Sequence, residues 1–160
     1  MLTHRDLMAN IAAMGQAARA GPADVFVSWL PLYHDMGLIG AWLAGIFFGF
    51  PLVVMSPLAF LSRPARWLRA ISQYRGTLSA APNFGYELCT RQVRDADLAG
   101  VDLSSWRLAF NGSEMVSPAT LRRFAAASHP GVCAQRPSRP PTGWPRPESG
   151  SRSPRLAAAR

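Results

Sequence analysis

The 160-residue chain is 49% hydrophobic, which suits one globular domain with an ordinary core. Its formal net charge of +8 comes from arginine, since the sequence contains no lysine. Its two cysteines provide no disulfide framework, its three histidines show no metal-ligand spacing, and no secretory signal is visible, so we expect a cytoplasmic protein without a bound metal.

The first part of the chain combines a helical pattern with a strand pattern. Thr3 followed by Asp6 resembles a capping box, and apolar residues at helical spacing predict a helix over 4–19. The apolar run Val25–Val27 predicts a short buried strand. In open α/β sheets the ligand-contacting residues follow the carboxyl ends of strands, so the polar residues Tyr33–Asp35 are candidates for a site.

The stretch Met36–Met55 holds twenty residues without a charge. That length is enough for a membrane span. Four glycines interrupt the stretch, however, and Gly49-Phe50-Pro51 resembles a turn. We therefore predict a buried helix near 37–48 and a buried strand near 51–55. The alternative is a small membrane protein in which residues 36–55 span the membrane.

The second half of the chain repeats the alternation of helices and strands. Helices are predicted from Pro64 onward, over 83–94 and from Pro118 to about 127, with strands at 77–79 and 106–110. Cys89 is expected to be a small buried residue of the second of these helices. The exposed face of the first helix is expected to carry Arg63, Arg66, Arg69 and Arg75. This alternation predicts the α/β class, with a mostly parallel sheet and covering helices.

The composition changes after residue 126. Residues 127–160 hold seven of the fourteen prolines, together with six arginines and a single acid, Glu148. Such a segment buries too little apolar surface to offset its ordering entropy, so we predict a disordered tail. A shifted reading frame shortly after Phe124 would produce this composition. A nucleic-acid or acidic-membrane arm is less favoured, because the arginines neither cluster nor alternate with aromatic residues.

Taken by itself, the pair His34-Asp35 is weak evidence for catalysis. Metal phosphohydrolases contain such pairs but need further ligands, and the other histidines lie in the first helix and in the tail. Ser113 lacks the glycine-flanked elbow of serine hydrolases. The residues alone therefore leave open whether His34 is catalytic or structural.

Three ordered segments together are more specific. Residues 30–38 read Leu-Pro-Leu-Tyr-His-Asp-Met-Gly-Leu, residues 79–89 include Ala-Pro-Asn-Phe-Gly-Tyr, and residues 106–116 include Phe-Asn-Gly-Ser-Glu-Met. With the opening residues 2–7, these segments resemble the adenylate-forming (AMP-binding, acyl-CoA synthetase-like) superfamily, most closely the fatty acyl-AMP ligases, over about residues 2–126. The resemblance implies a partial AMP-binding domain at 1–126, cut from the large N-terminal domain of such an enzyme.

The resemblance also implies roles for residues. His34 would be the catalytic residue that orients the attacking carboxylate, which needs no general base because it is already ionised. The acyl pocket would be lined by Tyr33, Asp35, Asn83 and Phe84. Their alternative interpretation is helix capping by Asn83 and core packing by Phe84. The adenine loop would be formed by Asn111, Gly112, Ser113 and Glu114, and the glycine would allow the backbone to approach a purine closely. The alternative interpretation of this segment is an ordinary strand-to-helix turn.

The parent enzyme implied by this resemblance uses ATP and Mg²⁺ to convert a fatty acid to acyl-AMP and pyrophosphate. It then passes the acyl group to an acyl carrier protein, a polyketide synthase or coenzyme A. The chain shows no glycine-rich phosphate loop, no magnesium motif and no catalytic lysine. We therefore expect an internal fragment that binds neither ATP nor Mg²⁺ tightly and is inactive alone, or a non-enzymatic remnant of a damaged gene.

Overall fold

The computed structural model describes residues 3–127, and the predicted tail at 128–160 lies outside them. The described residues alternate helices and strands in the predicted order. The elements are α1 (His4–Ala18), β1 (Phe26–Ser28), α2 (Asp35–Gly37), a π-helix (Leu38–Leu43), α3 (Ala44–Phe48), β2 (Leu52–Val54), α4 (Pro57–Ser62), α5 (Ala65–Gln73), β3 (Leu78–Ala81), α6 (Asn83–Gln92), a 3-10 helix (Asp95–Leu98), β4 (Leu108–Asn111) and α7 (Pro118–Ala127).

The four strands form one parallel sheet in the order β2-β1-β3-β4. Phe26 pairs with Leu52 on one side and with Leu78 on the other, and Leu78 in turn pairs with Leu108. Parallel neighbours need crossover connections, which the helices supply. The α/β class with a parallel sheet and covering helices is thereby confirmed.

Helix α1 begins where the sequence predicts. The Thr3 side chain accepts a hydrogen bond from the Asp6 N–H at 3.2 Å, and the Asp6 carboxylate accepts one from the Thr3 N–H at 3.0 Å. This reciprocal pair satisfies two of the free amides at the helix start. The capping box also holds the pKa of Asp6 below its ordinary value, chiefly through the hydrogen bond from the Thr3 side chain.

The uncharged stretch at 36–55 is divided between a helical run, a turn and a strand. Residues 35–48 form one continuous helical run (α2, the π-helix and α3), which ends at Gly49 with a φ of 72°. Strand β2 follows and pairs with β1. Within residues 3–127, no helix is both long enough and apolar enough to cross a membrane.

The sheet separates two packed layers, because alternate strand residues face opposite sides. Phe26 and Ala80 face α1 and the 35–48 run across a cavity, whereas Ser79 faces α5 and accepts a hydrogen bond from the Trp67 indole N–H at 2.9 Å. On that second side, Trp67 packs edge-on against Trp106 at 5.3 Å. The core on this side also contains Phe60, Leu68, Tyr86, Cys89 and Phe124.

Two local features differ from the sequence predictions. Helix α4 was not predicted, although Ser56 caps it by accepting from the Leu58 N–H at 3.2 Å and Pro57 stands in its first turn. The arginines in and around α5 are exposed, as predicted, but two of them also bind Asp97 of the 3-10 helix. Arg63 donates to the Asp97 carboxylate at 3.0 Å and Arg69 donates to the Asp97 carbonyl at 3.1 Å.

Candidate functional site

The three motif segments meet at one edge of the sheet. Residues 30–37 follow β1, residues 82–85 follow β3 and residues 112–116 follow β4. Because β1, β3 and β4 are parallel neighbours, their carboxyl ends lie side by side. This is the edge at which open α/β sheets bind ligands.

His34 is held at the start of the helical run. Its side-chain Nδ1 accepts a hydrogen bond from the Met36 backbone N–H at 3.2 Å. The His34 backbone N–H donates to the Pro31 carbonyl at 3.2 Å. This geometry assigns the proton of a neutral imidazole to Nε2. Gly37 permits the tight turn, since a Cβ there would lie 2.3 Å from the Pro31 oxygen. His34 is exposed, and so are Tyr33 and Asp35.

Asn83 connects the second and third segments. Its Oδ1 accepts from the Ser117 N–H at 3.0 Å and from the Asn111 amide at 3.3 Å, and its own amide donates to Thr120 Oγ1 at 3.4 Å. The N-cap position of α6 belongs to Pro82. Asn83 therefore holds β4 and the start of α7 beside α6 instead of capping its own helix.

Phe84 lies at the rim of the aromatic core. Its ring meets the Trp29 ring edge-on at 5.9 Å, and its side chain is 46% exposed. The Phe84 N–H donates to Glu114 Oε1 at 2.6 Å. Glu114 thus places a carboxylate at the start of α6, where free amides and the helix dipole favour negative charge. This contact fixes the 111–114 loop against α6.

The loop after β4 also contacts the start of the helical run. Ser113 has a φ of 66°, and its hydroxyl donates to the Met36 sulfur at 3.6 Å. The Gly112 backbone lies against the same sulfur, since a Cβ on Gly112 would be 3.8 Å from it. The loop residues 111–114 are therefore joined to His34 through Met36, and to Asn83 through Asn111.

An apolar cavity of about 350 Å³ lies between α1, the 35–48 run and the sheet. Its wall contains Gly15 and Ala18 of α1, Gly40 and Phe48 of the run, and Phe26 and Ala80 of the sheet. Of the residues predicted for the site, Asn111 and Gly112 line this cavity, together with Met36. His34, Tyr33, Asp35, Asn83, Phe84, Ser113 and Glu114 are not among its lining residues.

The sequence predictions missed most of the cavity wall. The available signal was the four-residue spacing of Met36, Gly40, Ala44 and Phe48 along the uncharged stretch, all of which line the cavity. Asn111 was predicted as a site residue, but the state of its side chain was not. Its Oδ1 is buried and has no hydrogen-bond partner among the described residues. A buried acceptor without a donor is uncommon, so this oxygen lacks a donor that the described residues do not supply.

No charged residue within 3–127 is among the lining residues of the cavity. The Arg107 guanidinium approaches its wall from outside, since it donates to the carbonyl of the lining residue Ala18 at 2.7 Å. A second charged cluster joins α6 to α7, where Glu87 accepts from Arg123 at 2.6 Å. Hydrogen bonds from Arg123, Thr120 and Arg91 together hold the pKa of Glu87 below its ordinary value. No group of three or more histidines, cysteines or carboxylates within residues 3–127 could hold a metal ion.

Comparison with known proteins identifies relatives over the described part of the chain. A family model described as AMP-binding enzyme matches residues 1–134. The chain is 48% identical over 126 residues to the medium-chain fatty acid–[acyl-carrier-protein] ligase TtuA of Teredinibacter turnerae, covering 79% of this chain and 20% of the relative. It is 46% identical over 130 residues to the long-chain fatty acid–AMP ligase FadD23 of Mycobacterium tuberculosis, covering 78% of this chain and 22% of the relative.

A solved structure has the same fold. The fatty acyl-adenylate ligase from L. pneumophila, in complex with acyl adenylate and pyrophosphate, superimposes with a TM-score of 0.77 at 40% identity. The match covers 79% of this chain and 22% of that one. The chain thus spans about a fifth of the length of the relatives it matches.

Proposed function

Because the chain belongs to the AMP-binding enzyme family, we propose that it is part of a fatty acyl-AMP ligase and forms the acyl pocket of that enzyme. In the proposed reaction a carboxylate oxygen of the fatty acid attacks the α-phosphorus of ATP. The new bond gives acyl-AMP, and the bond to the leaving pyrophosphate breaks. The observation that supports this proposal most directly is the apolar cavity of about 350 Å³, whose lining includes Met36 and Gly112 at the ligand-binding edge of the sheet.

The residues at that edge suit the two substrates. An apolar cavity of this size is within the range of small-molecule sites, and it favours a hydrocarbon chain over a polar one. His34 lies beside Met36 and would donate from Nε2 to the carboxylate or the α-phosphate, which positions the nucleophile. Tyr33 and Asp35 would border the same entrance, and Asn83 and Phe84 would form its other side.

The loop after β4 suits the nucleotide. The adenine amino group is a hydrogen-bond donor, and Asn111 Oδ1 is a buried acceptor without a partner in the described part of the chain. Gly112 lets the backbone approach a flat ring. Ser113 and Glu114 would hold this loop in place through Met36 and α6, as their hydrogen bonds indicate.

We further propose that this chain alone does not form acyl-AMP at a useful rate. The transition state of phosphoryl transfer is stabilised mainly by cations and donors around the phosphates. The sequence has no lysine, and residues 3–127 contain no carboxylate cluster for Mg²⁺. ATP and Mg²⁺ would therefore bind weakly. The acyl acceptor of the parent would be a carrier protein, as the name of the Teredinibacter relative states for that enzyme, or a polyketide synthase or coenzyme A.

Two measurements on the 160-residue chain test these proposals. Calorimetric titration with a fatty acid measures the pocket, and ATP–pyrophosphate exchange with the same acid measures the reaction, with a full-length relative as the positive control. We expect saturable fatty-acid binding and no exchange above background. Absence of binding would overturn the acyl-pocket proposal, and exchange comparable to the control would overturn the proposed inactivity.

The second candidate is a non-enzymatic remnant of a damaged gene. The same missing phosphate-binding groups favour it. The nucleotide sequence flanking the reading frame distinguishes the two candidates. A phosphate loop encoded directly upstream, with a magnesium motif in a shifted frame after Phe124, would support the remnant.

A further inference from the structure

The cavity extends along the sheet from one edge to the other. The 35–48 run starts at the carboxyl edge beside β1 and ends just before β2, which pairs with the start of β1. Met36 therefore lines the cavity at the carboxyl edge, and Phe48 lines it near the opposite edge. We infer that this cavity accepts acyl chains of up to about 14 carbons, with Gly40 and Phe48 as the specificity-determining residues; the inference rests on the proposed acyl-pocket function.

The helical geometry aligns the cavity wall. Met36, Gly40, Ala44 and Phe48 are spaced by four residues, and in an α-helix each such step overshoots a full turn by about 40°. Residues 38–43 form a π-helix, whose wider turns hold more residues and remove part of this overshoot. The four side-chain positions consequently stay on one face, and small residues at positions 40 and 44 leave a channel along it.

Aromatic rings close the inner end of the channel. The Phe48 ring packs over Gly15 of α1, where an added Cβ would lie 1.9 Å from its Cζ. The Phe50 ring lies parallel to the Phe48 ring with centroids 6.4 Å apart, and Phe26 stacks on Phe50 at 6.2 Å. Since Phe48 touches α1 on one side and Phe50 is buried behind it, an acyl chain cannot extend further without displacing these rings.

The volume and the length of the cavity give consistent upper limits on the length of a bound acyl chain. A dry cavity of about 150 Å³ holds benzene, or roughly 25 Å³ per carbon atom. The 350 Å³ cavity therefore corresponds to about 14 carbons on the same scale. Twelve residues of helix separate Met36 from Phe48, a distance of roughly 15–18 Å. An extended chain advances about 1.2 Å per bond, so that distance accommodates about 12 to 15 bonds.

Gly40 offers a position where the cavity can be shortened without disturbing the fold. A Cβ built on Gly40 meets no atom within 4 Å, although the residue lines the cavity. Gly40→Leu would therefore place four carbons in open space and also improve helix propensity. Phe48→Ala acts in the opposite direction, because it removes the ring that closes the channel. Ala13→Leu, on the exposed side of α1, is the matched control.

The experiment measures dissociation constants of saturated fatty acids from 6 to 18 carbons by displacement of a fluorescent fatty-acid probe, with thermal melts as the folding check. For the unmodified chain we expect affinity to rise about fourfold per added methylene and to stop rising at or before about 14 carbons. Gly40→Leu should lower that limit by about three to four carbons, Phe48→Ala should raise it by about four to six, and Ala13→Leu should leave it unchanged.

The outcomes separate this inference from the function on which it rests. The chain-length inference would be overturned if affinity rose without a break through 18 carbons. It would also be overturned if the chain-length limit stayed the same in both cavity variants. Either result would leave fatty-acid binding itself intact. A uniform loss of affinity at all lengths in a variant would indicate damage to the fold and would also count against a role for that residue in length selection. If no fatty acid binds to the unmodified chain, the proposed function fails as well.

Discussion

Replacing Arg107 by methionine should destabilise the protein strongly at neutral pH. The Arg107 guanidinium donates to both oxygens of the Asp24 carboxylate, at 3.0 and 2.7 Å, and to the carbonyls of Ala18 and Arg19, at 2.7 and 3.1 Å. It therefore joins the residue just before β4 to the segment before β1 and to the end of α1. Asp24 is 7% exposed, so its charge depends on these donors.

The size of the effect follows from what remains after the substitution. Without Arg107, the Asp24 carboxylate keeps the Thr77 hydroxyl at 2.6 Å and the Gly21 N–H at 3.0 Å. Breaking a fully buried ion pair costs about 3–5 kcal/mol. Because two donors remain and the Arg107 side chain is 37% exposed, we expect a loss of about 2–3 kcal/mol in the free energy of unfolding.

The loss of stability caused by Arg107→Met should also depend on pH. Burial by itself would raise the pKa of Asp24, but hydrogen bonds from Arg107, Thr77 and Gly21 outweigh it and hold the pKa below its ordinary value of 3.8. A lowered folded-state pKa contributes stability above pH 3.8 that disappears as the pH falls through the folded pKa. In Arg107→Met the buried carboxylate loses its cation and its pKa rises, so the destabilisation should be smaller near pH 3 than at pH 7.

Urea unfolding followed by tryptophan fluorescence, at both pH values, measures this difference. Arg75→Met is the matched control, because its partner Asp102 and Arg75 itself are both more than half exposed; solvent screens that pair, so we expect a much smaller loss of stability there. Equal destabilisation by Arg107→Met at pH 7 and near pH 3 would show that the guanidinium acts through packing and not through the charge of Asp24.

Three further predictions concern the packing of the core. Gly15→Ala should lower the free energy of unfolding by less than about 2 kcal/mol, because its methyl must displace the Phe48 ring, at a cost of about 1–3 kcal/mol, while losing a glycine inside a helix gains up to about 1 kcal/mol; a raised urea midpoint would contradict the tight contact. Tyr86→Phe should cost about 1–3 kcal/mol, since the Phe110 carbonyl loses its donor at 2.6 Å; an unchanged urea midpoint would contradict a stabilising role for this hydrogen bond. Burial raises the pKa of the Cys89 thiol to about 12, so in a Cys133→Ser background a thiol reagent at about pH 8 should react only after unfolding.

Local sequence signals predicted the helices and strands that depend on nearby residues. The Thr3 capping box fixes the start of α1, and the apolar runs at 25–27 and 51–55 became neighbouring strands. Helix α4 has an equally local signal in Ser56-Pro57, although the sequence predictions contain only a strand near 51–55 and a helix from Pro64 onward. The π-helix could not be predicted, because no residue type specifies i→i+5 hydrogen bonds and tertiary packing selects them.

The sequence alone determined the α/β class and the placement of its three motifs after strands β1, β3 and β4. It could do so because strand patterns and turn residues act over a few positions, and because parallel strands bring their carboxyl ends to one edge. The tertiary structure alone decided what those segments touch. Asn83 forms hydrogen bonds with Asn111 and Ser117. Gly15 packs against Phe48, which lies more than thirty positions further along the chain. Such contacts depend on how whole layers pack, and packing distance is not encoded in any local stretch of residues.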